Sequence, residues 1–299
     1  MSKVLLTGAS GFIGTHVRRA LWESGYEIVS LVRAAKPELV PYPNERIVLG
    51  TLTEPHILER ELTGTDLDFC VHLAWEGIPD YSSQPSMKNL EYGFCVLRLC
   101  KTLKIKGLIM AGSCWEYLNP VGMVQEDAAL SYENPFKAAK NTLHLMSREF
   151  CRENGIAIHW LRFFYVYGEG QRSGSLIPYI VDALKSGVQP ALNGAFHQND
   201  FVHVSDVAQA VCKSLEHTQS YSVLNIGSGD ATRVLDITMK TAQIFHMPFD
   251  CSQYKPPTAI PHGFWADIRR AEAQLGWYPR VSIQEGIERY IKFANEGTR

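Results

Sequence analysis

The polarity pattern of the chain opens with a short apolar run, Val4 to Leu6. Glycines follow at 8, 11 and 14, then apolar residues at helical spacing through Val17, Ala20, Leu21 and Trp22. That order predicts strand, tight turn and helix. A second strand is expected over Tyr26 to Arg33, a short one over Arg46 to Leu49, and a helix over Glu54 to Leu62. Asp68 to Leu73 reads as a strand, Pro85 to Leu103 as a long helix and Gly107 to Ala111 as another strand. Asn134 to Glu153 is helical in pattern and Ala157 to Leu161 extended. Further helices are expected at Ser175–Ser186, Ser205–His217 and Asp267–Leu275, between glycine- and proline-rich loops. Alternation of strands and helices implies parallel strands with crossover helices, hence an α/β fold with a doubly wound parallel sheet of Rossmann type. Ligands of such sheets sit at the carboxyl ends of the strands. The later segments suit a smaller C-terminal lobe that binds substrate.

The helix over 85–104 carries two apolar stripes, Leu90, Phe94, Leu97 and Tyr92, Val96, Leu99, Leu103. A surface helix needs one, so this helix should bury two faces, one of them on the sheet.

The glycines at 8, 11 and 14 add chemistry to the first turn. Each removes a side chain where the backbone must turn, approach an anion or pack helix on sheet, and the helix start offers unpaired N–H groups to a pyrophosphate. About 20 residues past such a turn, an acidic residue binds the ribose 2′-hydroxyl of NAD. Here the segment reads Leu31-Val-Arg-Ala-Ala-Lys36, and Arg33 can pair with a 2′-phosphate instead. The expected cofactor is NADP.

Composition narrows the class. The chain has 299 residues, 45% hydrophobic and 20% charged, with net charge −2. That is ordinary for a globular protein and offers no electrostatic attraction for nucleic acid or an anionic membrane. No apolar stretch reaches spanning length and the N-terminus runs straight into a strand, so a cytoplasmic protein is expected. The seven cysteines are scattered without a CxxC pair, so neither a metal site nor a disulfide framework is expected.

The wording "TGASGFIG" resembles the extended short-chain dehydrogenase/reductase family of nucleotide-sugar epimerases, dehydratases and reductases. "VHLAW" (71–75), "MAGSCWEYL", "ENPFKAAK", "LRFFYVYGEGQRSGSLIPYI" (161–180), "HQNDFVHVSDVAQAV" (197–211), "LNIGSGDATRV" (224–234) and "ADIRRAEAQLGWYP" (266–279) extend the resemblance over nearly the whole chain. It implies a dinucleotide-binding domain over 1–165, with 204–230 returning to it, and a substrate-binding lobe from 166–203 and 231–299. It places Gly8, Ser10, Gly11, Phe12, Ile13, Gly14, Arg33, Leu73, Ala74, Lys140 and Tyr165 at the cofactor. Ser113, Cys114, Trp115, Arg172 and Asn199 fall at a nucleotide-diphosphate sugar, Arg172 as a possible replacement for the family arginine that Asn199 displaces. The family's four-helix interface implies a homodimer through the 85–104 and 134–153 helices. Thr51 stands where the family carries an aspartate near the adenine. His72, Asp206 and Asp267 read better as structural residues than as ligand contacts.

The resemblance makes Ser113, position 136 and Lys140 the catalytic set, with a tyrosine expected at 136. In the family the lysine holds the nicotinamide ribose and lowers the tyrosine's pKa, the phenol moves a proton at the sugar oxygen, and the serine orients that oxygen. Here 136 is Phe, which has no proton to give. Three explanations stay open: an engineered Tyr→Phe change, a natural variant with another acid, or a cofactor-binding protein that has lost catalysis. Tyr132 precedes the helix; Cys114, Tyr165 or a water are other donors. Cys114 and Trp115 after Ser113 are not the Asp-Glu pair of a 4,6-dehydratase. The segments look most like reductases acting on the 4-keto group of nucleotide-linked 4-keto-6-deoxy sugars. A nucleotide-sugar epimerase and a non-catalytic NADP-binding regulator are the alternatives.

Overall fold

Side chains alternate across a strand, and in β1 (Lys3–Thr7) Val4 and Leu6 enter one core while Leu5 enters another. The same division repeats in later strands, so the sheet is apolar on both faces and needs helices on both. These coordinates, a computed structural model, describe residues 1–37, 39–217, 220–255 and 263–296. In chain order the elements are β1, α1 (Phe12–Glu23), β2 (Glu27–Val32), β3 (Glu45–Leu49), α2 (Pro55–Leu62), β4 (Phe69–His72), α3 (Ser83–Thr102) and β5 (Gly107–Ser113). After them come β6 (Gly122–Val124), α4 (Pro135–Asn154), β7 (Ala157–Phe163), β8 (Tyr165–Tyr167), α5 (Leu176–Lys185), β9 (Gln198–Asn199), β10 (Phe201–His203) and α6 (Val204–Leu215). The chain continues with β11 (Tyr221–Ile226), β12 (Thr232–Arg233), α7 (Val234–Ile244), β13 (Phe264–Ala266), α8 (Arg269–Leu275) and α9 (Ile283–Glu296).

Seven strands form one parallel sheet in the order β11-β7-β5-β4-β1-β2-β3. Helices α1, α6 and α8 cover one face through Val17, Leu21, Val207, Val211 and Leu275; α2, α3 and α4 cover the other through Leu58, Val96, Leu99 and Leu143. A third core, built from α5, α7 and α9 around Ile180, Ile237 and Ile287, belongs to the smaller lobe. A small mixed sheet in the order β12-β9-β13-β6 and the parallel pair β10-β8 complete the strands.

Leu97 is 3% exposed and lies in the chain's own core. Helix α4 packs against α3 through Leu143. The two helices approach so closely that a Cβ at Gly93 would stand 2.4 Å from Leu143 Cδ1. No helix of the described residues is long and apolar enough to cross a membrane.

Candidate active site

The strand order reverses between β1 and β4, so the chains leaving them diverge and open a crevice at the carboxyl edge of the sheet. Gly8 turns there with φ +75°, and a Cβ on it would stand 2.7 Å from Ala74 N. Helix α1 starts against this turn, its N-cap Gly11 supplying no side-chain acceptor. Its first N–H groups are therefore available to an anion. A cradle that a Cβ would fill, beside an uncapped helix start, fits the pyrophosphate of a dinucleotide.

A cavity of about 270 Å³ on one side of the turn is lined by Gly8, Ser10, Gly11, Arg33, Leu73 and Ala74, and also by Lys36, Thr51 and Glu76. A second cavity, of about 820 Å³, shares Gly8, Gly11, Leu73 and Trp75 with it. It passes Phe12, Ile13 and Gly14 and reaches Ser113, Cys114, Trp115, Phe136, Lys140, Tyr165, Arg172 and Asn199. The structure thus brings every residue proposed from the sequence to one continuous groove. Arg33 is exposed and lies 2.9 Å from Glu76, which also accepts from Tyr92 Oη at 3.0 Å and Lys88 Nζ at 3.2 Å. Thr51 Oγ1 accepts from Thr53 N at 3.3 Å and shapes the turn after β3. His72 is buried with Nδ1 2.7 Å from Thr7 Oγ1, and burial pushes its pKa down to about 3, so it is a packed neutral imidazole.

Position 136 sits where α4 begins. Asn134 caps the helix by accepting from Lys137 N at 2.9 Å, Pro135 follows, and Phe136 and Lys140 share the buried face one turn apart. Phe136 is boxed by Trp75, Tyr81 and Trp115 at ring-centroid distances of 5.5, 5.2 and 6.2 Å. Lys140 Nζ donates to Ala111 O at 2.7 Å and lies 3.7 Å from the centre of the Trp75 ring. Burial lowers its pKa to about 7, because a charged ammonium loses its hydration there.

Ser113 is the last residue of β5, two beyond the strand end expected from the sequence. Its N–H donates to Glu116 Oε1 at 2.7 Å and its Oγ accepts from Trp115 N at 3.2 Å, a reciprocal capping box. Glu116 has no exposed side-chain surface. It pairs with Arg162 Nε at 2.7 Å and accepts from Trp160 Nε1 at 3.0 Å. Arg162 Nη1 in turn donates to Tyr117 Oη at 3.0 Å and Glu126 O at 2.8 Å. Ser113 therefore rests on a buried charged network.

The other proton donors that the sequence offers differ in their surroundings. Cys114 is 2% exposed and burial raises its thiol pKa well above the ordinary value. Burial also raises the Tyr165 phenol, whose ring packs against Phe201 and Phe264. Tyr132 is exposed and outside the groove. Asp206 accepts from Val281 N at 3.0 Å, and Asp267 accepts from Gln125 Nε2 at 3.2 Å, so both tie chain segments together.

Lys36, Trp75, Glu76 and Tyr81 were not singled out from the sequence. Lys36 lies in the same basic segment as Arg33, and Trp75 and Glu76 directly follow Ala74, so adjacency was a usable signal. Tyr81 had none, because a loop brings it in.

The family model "NAD dependent epimerase/dehydratase family" matches residues 4–227, and the chain belongs to that family, within the extended short-chain dehydrogenases/reductases. It is an NAD(P)-dependent, nucleotide-sugar-modifying enzyme of that group. It is similar to a dTDP-4-dehydro-6-deoxyglucose reductase of Escherichia coli, 26% identical over 97% of this chain and 96% of that protein. A putative UDP-glucose 4-epimerase of Methanocaldococcus jannaschii is 25% identical over 99% of both. Among solved structures, MoeE5 in complex with UDP-glucose and NAD superposes with TM-score 0.85 at 26% identity, covering 100% of both chains. The UDP-glucose 4-epimerase of Thermotoga maritima, at TM-score 0.87 and 22% identity over 99% of this chain and 100% of that one, has the same fold.

Proposed function

We propose that this protein uses NADPH to reduce the 4-keto group of a nucleotide-linked 4-keto-6-deoxy sugar. The observation that carries the reading is the groove that joins the basic residues Arg33 and Lys36 to Ser113 and Lys140. When bound along it, the reduced dinucleotide would be the source of hydride for the carbonyl carbon. Residues 1–165 and 204–230 hold the dinucleotide, with Lys140 on the ribose. Residues 166–203 and 231–299 close over the sugar nucleotide, with Arg172 and Asn199 toward its diphosphate and Ser113 on the carbonyl oxygen. Similarity to the Escherichia coli reductase supports the direction of reaction, and the epimerases among the relatives support a second reading. Absorbance at 340 nm with a panel of nucleotide-linked 4-keto-6-deoxy sugars tests it. Stoichiometric NADPH consumption is expected. Interconversion of UDP-hexoses without net consumption would make the protein an epimerase, and tight NADP binding without either turnover would make it a binding protein.

Preference for NADP should depend on Arg33. Arg33→Ala should weaken NADP binding roughly 10–100-fold, the worth of a charge-assisted hydrogen bond, and leave NAD binding nearly unchanged. Glu76 competes with the 2′-phosphate for the same guanidinium. Glu76→Gln should therefore tighten NADP alone. Calorimetric titration of both dinucleotides checks the pair, and equal NAD and NADP affinities in the parent would remove the assignment.

The homodimer forms through the outer side of the α3–α4 pair, where Met87, Leu145 and Met146 are exposed and Leu90 and Phe94 half-buried. Met146→Glu should give monomers by light scattering at micromolar concentration with the melting temperature of the isolated fold unchanged. A monomeric parent protein would refute the interface.

A further inference from the structure

The reduction needs a proton as well as a hydride, and Phe136 has none. We propose that the hydroxyl of Tyr81, carried in on the loop between β4 and α3, donates that proton to the carbonyl oxygen. The proposal rests on the reductase reading above and names the acid that reading lacks.

Tyr81 lines the same cavity as Ser113, Phe136 and Lys140. Its ring meets that of Phe136 edge-on, with centroids 5.2 Å apart and planes at 72°. It also packs on Trp115 at 5.0 Å. The phenol is thus held beside the ring that replaces the expected one. The loop is anchored across the cleft, since Arg172 Nη1 donates to Ile78 O at 3.3 Å. A substrate diphosphate drawing on Arg172 would meet the same loop that presents Tyr81.

Other groups in the cavity are committed elsewhere. Tyr167 Oη donates to Ser282 O at 3.4 Å. Tyr165 has its ring against Phe201 and Phe264 rather than Phe136, and Cys114 is a buried thiol. Ser113 is an alcohol, which holds its proton too tightly to serve as the acid, and its Oγ already accepts from Trp115 N. Lys140 Nζ is turned to Ala111 O and the face of Trp75. Among the described residues of the groove, Tyr81 is the phenol in ring contact with position 136.

The chemistry balances without another reactant. The phenol O–H bond breaks as a new O–H bond forms on the substrate oxygen. The electron pair arrives with the hydride at the carbonyl carbon, and the C=O π electrons move onto oxygen. The products are a secondary alcohol, oxidised dinucleotide and a phenolate, which water at the open mouth reprotonates.

Tyr81→Phe removes one oxygen and keeps both ring contacts. It should lower kcat about 10²–10⁴-fold, the usual worth of general acid help. Calorimetric affinities for NADPH and for UDP or dTDP should stay within about twofold, as should the melting temperature. In the Tyr81→Phe background, Phe136→Tyr should restore most of the lost rate, because it supplies a phenol from the helix instead. If Tyr81→Phe keeps the parent rate, Tyr81 is not the donor although the reductase reading stands. A parent that turns over only after Phe136→Tyr also overturns the proposal and leaves the reading intact. If neither the parent nor Phe136→Tyr consumes NADPH with any 4-keto sugar, the reductase reading fails, and the proposal fails with it.

Discussion

Gly14→Ala is expected to abolish tight dinucleotide binding. The added Cβ would lie 2.0 Å from Gly8 O, 2.8 Å from Gly8 C and 3.0 Å from Ala9 Cα. All three are backbone atoms, so no side-chain rotation relieves the clash. Either α1 moves away from the sheet or the turn at Gly8 opens. Both displace the N–H groups at the helix start from the position that the pyrophosphate needs. Losing two hydrogen bonds to a charged group, at about 1.5–3 kcal/mol each, corresponds to roughly 10²–10⁴ in affinity. Intrinsic fluorescence titration with NADPH measures it. An affinity within threefold of the parent would show that the helix start is not the anion site.

Glu116→Ala is expected to lower folding stability by about 3–5 kcal/mol, since it leaves the Arg162 guanidinium buried and unpaired. Arg162 has 2% of its side chain exposed and cannot reach water without disrupting β7. For a chain of this size the loss corresponds to a fall in melting temperature on the order of 10 °C. The variant also removes the acceptor of the Ser113 N–H. Activity at a temperature where the variant is still folded should therefore fall through kcat, because Ser113 no longer has a fixed seat. Glu116→Gln retains an acceptor for that N–H but not the charge, so it should lose stability with a smaller loss of kcat. Denaturant unfolding of the three proteins, with their kinetics at low temperature, separates the two effects. Unchanged stability in Glu116→Ala would mean that Arg162 finds another partner.

Much of the groove was legible along the chain. The glycines at 8, 11 and 14 carry their message locally, because a missing Cβ constrains the backbone within a few residues. The spacing of Phe136 and Lys140 likewise follows from one helical turn after an Asn-Pro start. The amphipathic repeat of Ile283, Ile287, Tyr290 and Ile291 in α9 was equally visible but was not read as a helix. Leu97 shows the limit of periodicity. Two apolar stripes on α3 say that two faces are buried, but they do not say whether α4 or a second subunit covers the second face. Glu116 shows another limit, since an acidic residue three positions after Ser113 gives no sign of its partner Arg162, 46 positions away.

The sequence by itself determined the alternation of strands and helices, the glycine turn at the first crossover, Arg33 in place of an acidic residue after the second strand, and the absence of a phenol at 136. These rest on short-range sterics and on side-chain chemistry that does not depend on distant contacts. Tertiary structure alone decided that Glu76 pairs with Arg33, that α4 packs closely on α3 at Gly93, and that Tyr81 stands against Phe136. Each joins residues from different elements or loops. Their meeting is set by strand order and by how helices pack across the sheet, which no local pattern encodes.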